Sequence, residues 1–300
     1  MTMRAQTSID LPTLQLMQTS APDSPLRKTL RRFRRHRLAM VGLTIIVLLV
    51  IAALLGSESA AIEQNLKAMN KPPSGEHLFG TDRIGRDILA RTLVGGRISL
   101  AVGLVAVFFS TSIGLVLGSI AGFYGGWIDQ VIMRIVDVVL SFPVIILLLC
   151  VASLVGPSIF NVMAMIGLLT WPTPCRIMRG QFLALRERAF VEAAHCLGVT
   201  NFQIAVRHII PNAIAPVLVY ASFAVATAVL LEAGLSYLGL GVQPPTPSWG
   251  NMLNTARNIS TMERTSWQWI PPAIMTVLFV LAVNFVGDGI RDALDPQAKE

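Results

Sequence analysis

The chain has 300 residues, of which 53% are hydrophobic and only 14% are charged, with a formal net charge of +7. Soluble domains carry about 25% charged residues, so this composition excludes an ordinary soluble domain and indicates an integral membrane protein. Eight of the 24 Lys and Arg residues lie in residues 1–37, beside the first apolar run. We therefore interpret the positive charge as a signal of membrane topology and not of nucleic-acid binding.

Apolar runs predict an all-α membrane protein with six transmembrane helices. One span needs about 20 residues, so the uncharged run 138–175 must be divided, and the turn signal Gly-Pro-Ser at 156–158 divides it. The first run is too long and starts too far from the N-terminus for a cleaved signal peptide, so we expect a retained helix. Trp249 is expected at the membrane–water interface. The predicted spans are 38–56, 99–122, 132–155, 158–174, 212–235 and 269–288.

The basic run 27–37 predicts a cytoplasmic N-terminus, because short loops rich in Lys and Arg stay inside. Six spans then return the C-terminus to the same side. The loop 57–97 opposes this orientation with six Lys or Arg, but the first helix usually dominates. The predicted parts are a basic cytoplasmic tail 1–37, a first transmembrane helix 38–56, an extracytoplasmic loop 57–97 with a short helix, a core transmembrane domain 98–290 that contains a cytoplasmic loop 175–211, and a cytoplasmic tail 291–300.

The segment EAAHCLGVTNFQIAVRHIIP (192–211) predicts two short helices joined by a glycine turn. Gly198 stands where a helix C-terminus often has a left-handed residue. Thr200 and Gln203 have the spacing of a capping box, and Pro211 is expected to end the second helix. An ordinary loop on the lipid surface is the alternative. The predicted apolar stripe comprises Phe182, Leu185, Ala189, Ala193 and Leu197 and, after the turn, Phe202, Val206 and Ile209.

The spacing of Glu192, Gly198 and Pro211 resembles the cytoplasmic signature of permease subunits of binding-protein-dependent ABC importers. Three further stretches resemble the dipeptide and oligopeptide branch, in particular its permease C type: GTDRIGRDILARTLVGGRISL (80–100), GLSYLGLGVQPPTPSWG (234–250) and VNFVGDGIRDALDP (283–296). This resemblance implies the type I importer permease fold and an ATPase docked on residues about 186–209. The implied coupling residues are Glu192, Ala193, Ala194, Gly198, Phe202, Arg207 and Pro211.

The resemblance also implies a function, which is to form half of a translocation pathway for di- and oligopeptides in the bacterial cytoplasmic membrane. Nickel chelates, glutathione and other small solutes are alternative cargoes within this branch. The implied partners are a homologous second permease, two ATPase subunits that bind ATP and magnesium, an extracytoplasmic peptide-binding protein and the lipid bilayer. No cofactor, metal or nucleic acid is expected on this chain.

The chain itself is not expected to be an enzyme. Its nearest glycine-rich string, GGRISL, lacks the lysine and the spacing of a phosphate-binding loop. No catalytic triad, zinc site or carboxylate pair can be assembled. Two rival classes are a secondary carrier, which would use Glu232 as its coupling acid, and a structural membrane protein without a substrate.

Residues 80–94 predict a short extracytoplasmic helix that Thr81 or Asp82 caps. An Asp87–Arg91 pair at four-residue spacing would support this helix. It is either a locally stable element or a contact surface for the binding protein. The signature residues of this loop are Gly80, Thr81, Asp82, Gly85, Arg86 and Asp87.

Three acidic residues lie in or near the predicted spans, where an ionisable group is a functional candidate by default. Asp137 can pair with Arg134, and Asp288 with Arg291, each at three-residue spacing. Glu232 has no basic neighbour at helical spacing. It therefore either lines the pathway or takes part in hydrogen bonds between helices.

Overall fold

The computed structural model describes residues 25–295, so the predicted tails lie partly outside the described residues, at 1–24 and 296–300. Every regular element within 25–295 is helical, apart from an isolated bridge between Thr81 and Asp87. The predicted all-α class is confirmed.

The helices of the first half are α1 (Pro25–Arg35), α2 (Arg37–Leu55), α3 (Glu58–Ile62), α4 (Ile88–Tyr124), α5 (Gly126–Leu140), α6 (Val144–Val155) and α7 (Ile159–Thr170). Those of the second half are α8 (Pro172–Leu185), α9 (Ala189–Cys196), α10 (Asn201–Gln203), α11 (Ile210–Tyr237), α12 (Trp249–Leu253), α13 (Ile259–Arg264) and α14 (Ile270–Leu294). Three 3₁₀ turns at Leu66–Ala68, Asn254–Arg257 and Ser266–Gln268, and a π-helical turn at Ile204–Ile209, complete the helical elements.

Four continuous helical stretches in the described part of the chain are long and apolar enough to cross a membrane: α2, α4, Asn201–Tyr237 and α14. The predicted span 132–155 is instead two helices, α5 and α6, bent by 85°. Pro143 stands at this break. Proline lacks a backbone N–H and restricts the conformation of the residue before it, so one helix ends here and another begins. The predicted span 158–174 falls on α7 and α8, which have only 12 and 14 residues. By length and composition, residues 25–295 therefore contain four spans, or five if the bent pair is one span, where six were predicted.

Helix α4 lies close to α8 because three glycines at four-residue spacing face that helix. A Cβ atom at Gly114 would lie 2.7 Å from Cγ of Pro174, and one at Gly122 would lie 2.5 Å from Cβ of Phe182. Gly118, between them, faces the backbone carbonyl of Cys175. Small residues at such spacing allow helix backbones to approach closely in membranes. This seam fixes the position of α8, which leads into the segment 186–209.

Two clusters of buried side chains lie toward opposite ends of α11. Val217, Ile209 and Phe182 belong to the first, which α8, α9 and the π-helical turn share with α11. Val229 and Trp249 belong to the second, which α2, α4 and α14 share with α11. Helix α11 is about 42 Å long at 1.5 Å per residue. We call these ends of the bundle the Gly198 end and the Glu232 end.

Candidate functional site

The glycine turn at the Gly198 end has the predicted left-handed conformation, with φ of +75° at Gly198. The N–H of Val199 donates to the carbonyl of Ala194 at 3.1 Å, and the N–H of Gly198 donates to that of His195 at 3.0 Å. This pair of bonds is the Schellman motif, which satisfies the last carbonyl groups of α9. The turn between α9 and α10 is therefore fixed by its own hydrogen bonds.

The chain continues from α10 into α11 without a break at Pro211. Thr200 caps α10 as predicted, since its side chain accepts from the N–H of Gln203 at 3.4 Å. The prediction that Pro211 ends the helix is wrong, because Asn201–Tyr237 forms one helical stretch. Proline has no N–H to donate to the helical hydrogen bonds, and a wider π-helical turn precedes Pro211. In this turn the N–H of Ile210 donates to the carbonyl of Ala205, five residues back. The segment is thus continuous with α11.

The predicted apolar stripe is wrong between Leu185, where α8 ends, and Val206, whereas its last residue, Ile209, is buried as predicted. Three residues separate α8 from α9, so the face of α9 that points inward does not continue the apolar face of α8. The buried side chains of the segment are Val191, Ala194, Ile204 and Ile209, which pack on Met178 and Phe182 of α8. Among the predicted stripe residues after α8, Ala189, Ala193, Leu197, Phe202 and Val206 are exposed.

Large apolar side chains flank the glycine turn on its exposed face. Leu197 is 82% exposed and Phe202 is 76% exposed. Of the other predicted coupling residues, Ala194 is buried, whereas Glu192, Ala193, Arg207 and Pro211 are exposed. Exposed charges in the same short segment do not suit the hydrocarbon interior of a bilayer. Such a mixture of apolar and charged side chains fits contact with another protein.

Two ion pairs, which the sequence analysis did not predict, fasten α8 to α5. Arg179 Nη2 lies 2.6 Å from Asp129 Oδ2, and this hydrogen bond raises the pKa of Arg179. Asp137 pairs with Arg176 and not with Arg134, so the predicted local pair is wrong. The partners are 50 and 39 residues apart in the chain. Helical spacing could not reveal them, because they meet only when α5 folds against α8.

The Glu232 end contains a buried relay of hydrogen bonds. Backbone N–H groups of Val242, Trp249 and Asn251 donate to the hydroxyl groups of Ser236, Ser99 and Ser248, at 3.1 Å each. Those hydroxyl groups lie 2.7, 3.0 and 2.8 Å from the carboxyl oxygens of Glu232. The relay joins α4, α11 and the loop that follows α11. Glu232 therefore takes part in hydrogen bonds between helices, which is one of the two roles considered for it.

Trp249 and Asp288 differ from their sequence-based interpretations. Trp249 is buried, and its Nε1 donates to the carbonyl of Thr92 at 2.9 Å, so its ring packs inside the protein and not against lipid headgroups. The loop before it folds back between α4 and α14, and this contact covers the ring. Asp288 is exposed near the end of α14, and it forms no ion pair with Arg291 in the described structure.

The signature residues 80–87 form a turn and not the start of a helix. Helix α4 begins at Ile88, and Asp87 caps it by accepting from the N–H of Ala90 at 2.9 Å. The predicted capping by Thr81 or Asp82 is therefore wrong, and the helix is not short, because α4 continues through Gly95 and Gly96 to Tyr124. Asp87 contacts His77 at 2.8 Å instead of Arg91. Gly80 and Gly85 have positive φ values that shape this turn.

The described residues place an exposed helical segment, 186–209, on a bundle of helices that are long and apolar enough to cross a membrane. The pattern of the family of binding-protein-dependent transport system inner membrane components matches residues 114–300. The chain belongs to this family. Residues 24–73 match the N-terminal transmembrane domain of oligopeptide transport permease C, so the resemblance to this branch of ABC importer permeases is confirmed.

Relatives match along nearly the whole chain. A protein of Brucella suis biovar 1 (strain 1330), provisionally named a peptide permease protein, is 45% identical to this chain over 299 residues. The match covers 98% of this chain and 99% of the Brucella protein. The dipeptide transport system permease protein DppC of Alkalihalophilus pseudofirmus is 42% identical over 92% of this chain and 91% of its own length. The glutathione transport system permease protein GsiD of Escherichia coli O6:K15:H31 is 40% identical over 95% and 96%.

A solved structure has a similar fold. It is a chain of the MetNI methionine ABC transporter in an inward-facing conformation, with a TM-score of 0.53 and 20% identity. The match covers 68% of this chain and 97% of that chain. At this identity the likeness shows the fold alone.

Proposed function

We propose that the chain is one permease subunit of an ATP-driven importer of di- and oligopeptides in the bacterial cytoplasmic membrane. It forms half of the translocation pathway, and a homologous second permease forms the other half. An extracytoplasmic binding protein delivers the peptide, and two ATPase subunits bind ATP and magnesium. Both termini and the Gly198 end lie in the cytoplasm, and the Glu232 end faces outward.

The observation that carries this proposal is the exposed apolar surface around Gly198. Leu197 and Phe202 stand on either side of a turn that the Schellman hydrogen bonds fix. Exposed apolar side chains of this size in a charged segment mark contact sites for other proteins. The ATPase subunit is the partner expected to cover them.

The coupling follows from the way the segment is attached. Val191 and Ile204 pack on Phe182, and α10 continues into α11 without a break. A displacement of the segment by the closing ATPase dimer therefore moves α8 and α11 together. Alternating access results if ATP-bound and ATP-free ATPase dimers each favour one arrangement of these helices.

Peptides are the favoured cargo because relatives named for peptide and dipeptide transport are 45% and 42% identical to the chain. Glutathione, a modified tripeptide, is the second candidate, since a relative named for its transport is 40% identical. Uptake of a labelled dipeptide in the presence of excess unlabelled glutathione separates the two. The secondary-carrier alternative receives no support from Glu232, whose carboxyl group is enclosed by three serine hydroxyl groups.

Purification of the tagged chain from its own membrane in mild detergent tests the proposal. We expect two ATPase subunits, a second permease and a binding protein in the purified complex. The variant Phe202→Ala should retain less ATPase than the wild type. Phe160→Ala is the matched control, because Phe160 is 77% exposed in α7 at the Glu232 end. A chain that purifies alone, or equal ATPase loss in both variants, would refute docking at Phe202.

A further inference from the structure

A polar cavity of about 240 Å³ lies at the Glu232 end, between the turn 80–87, the first turn of α4 and the loop after α11. Four charged side chains line it: Asp82, Arg83, Arg86 and Arg91. Three guanidinium groups thus share the cavity with a single carboxylate. This excess of positive charge favours an anionic ligand.

The carboxylate of Asp82 is already occupied by other donors. Its Oδ2 accepts from Arg86 Nε at 2.7 Å, and its Oδ1 accepts from the N–H groups of Ile84 and Arg86 at 3.0 Å each. Arg91 Nε lies 3.8 Å from Asp82, beyond hydrogen-bond distance. Arg91 donates instead to the carbonyl of Ala61 at 3.2 Å. The guanidinium group of Arg91 therefore shares the carboxylate of Asp82 with Arg86, at the longer of the two distances.

Burial makes this imbalance costly. Arg91 is only 4% exposed, and a buried charge is stable only when it is paired and hydrogen-bonded. The neighbouring acidic residue Asp87 is engaged with His77. An anion that enters the cavity would supply the missing counter-charge.

A second polar group in the cavity wall lacks a partner. The Nε2 of Gln268 donates to Asn70 Oδ1 at 2.9 Å and to the carbonyl of Thr81 at 3.2 Å. Its Oε1 is buried and has no hydrogen bond among the described residues. This oxygen requires an N–H or O–H donor. The site thus combines cations suited to a carboxylate with an unpaired acceptor in the wall of the cavity.

We propose that this cavity binds the free carboxyl end of an amino acid or short peptide. Arg83 and Arg91 pair with the carboxylate, Gln268 Oε1 accepts from the adjacent N–H, and Arg86 remains with Asp82. The volume is below the roughly 300–1,000 Å³ of sites for drug-sized ligands, so it suits one terminal residue and not a whole peptide. The cavity would then recognise peptide termini at the Glu232 end. The choice of peptide rests on the proposed function, whereas binding needs neither ATP nor the ATPase.

Equilibrium dialysis of the purified full-length chain in lipid nanodiscs tests the cavity directly, with alanyl-alanine, its C-terminal amide and acetate as probes. We expect alanyl-alanine to bind, and the amide and acetate to bind about tenfold or more weakly, since one lacks the carboxylate and the other lacks the N–H. Equal binding of the amide would overturn the carboxylate assignment. Equal binding of acetate would overturn the role of Gln268.

The variant Arg83→Gln should weaken alanyl-alanine binding about tenfold. Its exposed side chain makes a folding defect an improbable cause. Arg264→Gln is the matched control, because Arg264 is exposed at the same end but does not line the cavity. Equal affinities of the two variants would refute the site.

The outcomes for cavity and transporter can be told apart. Dipeptide uptake by the complete transporter without dipeptide binding to the isolated chain would refute the cavity alone. Binding to the chain without ATP-driven uptake would refute the proposed transport function alone.

Discussion

The Gly198 end and the Glu232 end of the bundle differ in which side chains are exposed and which are buried. At the Gly198 end, Leu197 and Phe202 are exposed beside charged residues. At the Glu232 end, a carboxyl group and three serine hydroxyl groups are buried and satisfy one another. Exposed apolar groups indicate a surface that another chain covers, whereas a closed polar relay indicates an internal attachment.

Helices α4 and α11 connect these two ends. Because both helices take part in the relay at the Glu232 end, this end holds its loop in one place relative to them. The Gly198 end is held by the hydrogen bonds of its own turn, by its contacts with α8 and by its continuation into α11. If the bundle moves during transport, we expect the Gly198 end to receive the force and the Glu232 end to keep its loop attached. Four substitutions test this contrast.

Glu232→Ala should have the largest effect on stability. It removes the partner of three buried serine hydroxyl groups, and each buried polar group left without a partner costs about 1–3 kcal/mol. We expect a loss of about 3 kcal/mol or more, measured by thermal unfolding in detergent. Ser99→Ala removes one of the hydrogen bonds to Glu232, together with the acceptor of the Trp249 N–H, and should cost less than Glu232→Ala. Equal losses in the two variants would contradict a relay centred on Glu232.

Gly118→Leu should separate α4 from α8. A side chain at this position meets the carbonyl of Cys175 and Cβ of Met178, and overpacking costs about 1–3 kcal/mol. Gly180→Leu is the control, because a Cβ atom at the exposed Gly180 has no neighbour within 4 Å. Thermal unfolding should show a lower midpoint for Gly118→Leu than for Gly180→Leu. The same midpoint in both would show that the helices can part without cost.

Gly198→Val should uncouple ATP hydrolysis from uptake. Gly198 has φ of +75°, and a Cβ atom at this position would have no neighbour within 4 Å. The expected effect of valine therefore comes from the backbone conformation and not from steric crowding. A left-handed conformation costs a non-glycine residue about 1–2 kcal/mol, and a β-branched residue is least suited to it. Gly198→Asn, which tolerates this conformation, should retain most of the coupling. Unchanged uptake by normally expressed Gly198→Val would contradict a rigid turn.

Glu192→Lys should have the smallest effect on stability, within about 0.5 kcal/mol, because the side chain is exposed. It should nevertheless reduce the amount of ATPase that purifies with the chain. Glu263→Lys makes the same charge change at an exposed position of the Glu232 end. Full retention of the ATPase by Glu192→Lys would place the contact elsewhere.

The local sequence predicts those features whose cause is local. The apolar runs predict the helical class, because a span must satisfy its backbone groups within itself. The turn at Gly198 follows from one glycine at a helix end, and the cap at Thr200 follows from its spacing to Gln203. The resemblance at 192–211 and 80–100 also leads to the correct family.

Features that depend on contacts between distant segments were decided only by the tertiary structure. Asp137 pairs with Arg176 because α5 folds against α8, and Trp249 is buried because its loop folds back on α4.

The helical periodicity shows that Glu232 has no basic partner on its own helix, but it does not show which groups Glu232 contacts. Two of its three hydrogen-bond partners, Ser99 and Ser248, are 133 and 16 residues away in the chain. The same holds for the cavity, where Arg91 and Gln268 meet from distant segments. A sequence specifies which side chains need partners, because burial and hydrogen bonding are properties of each residue type. Only the packed helices decide which partners they find.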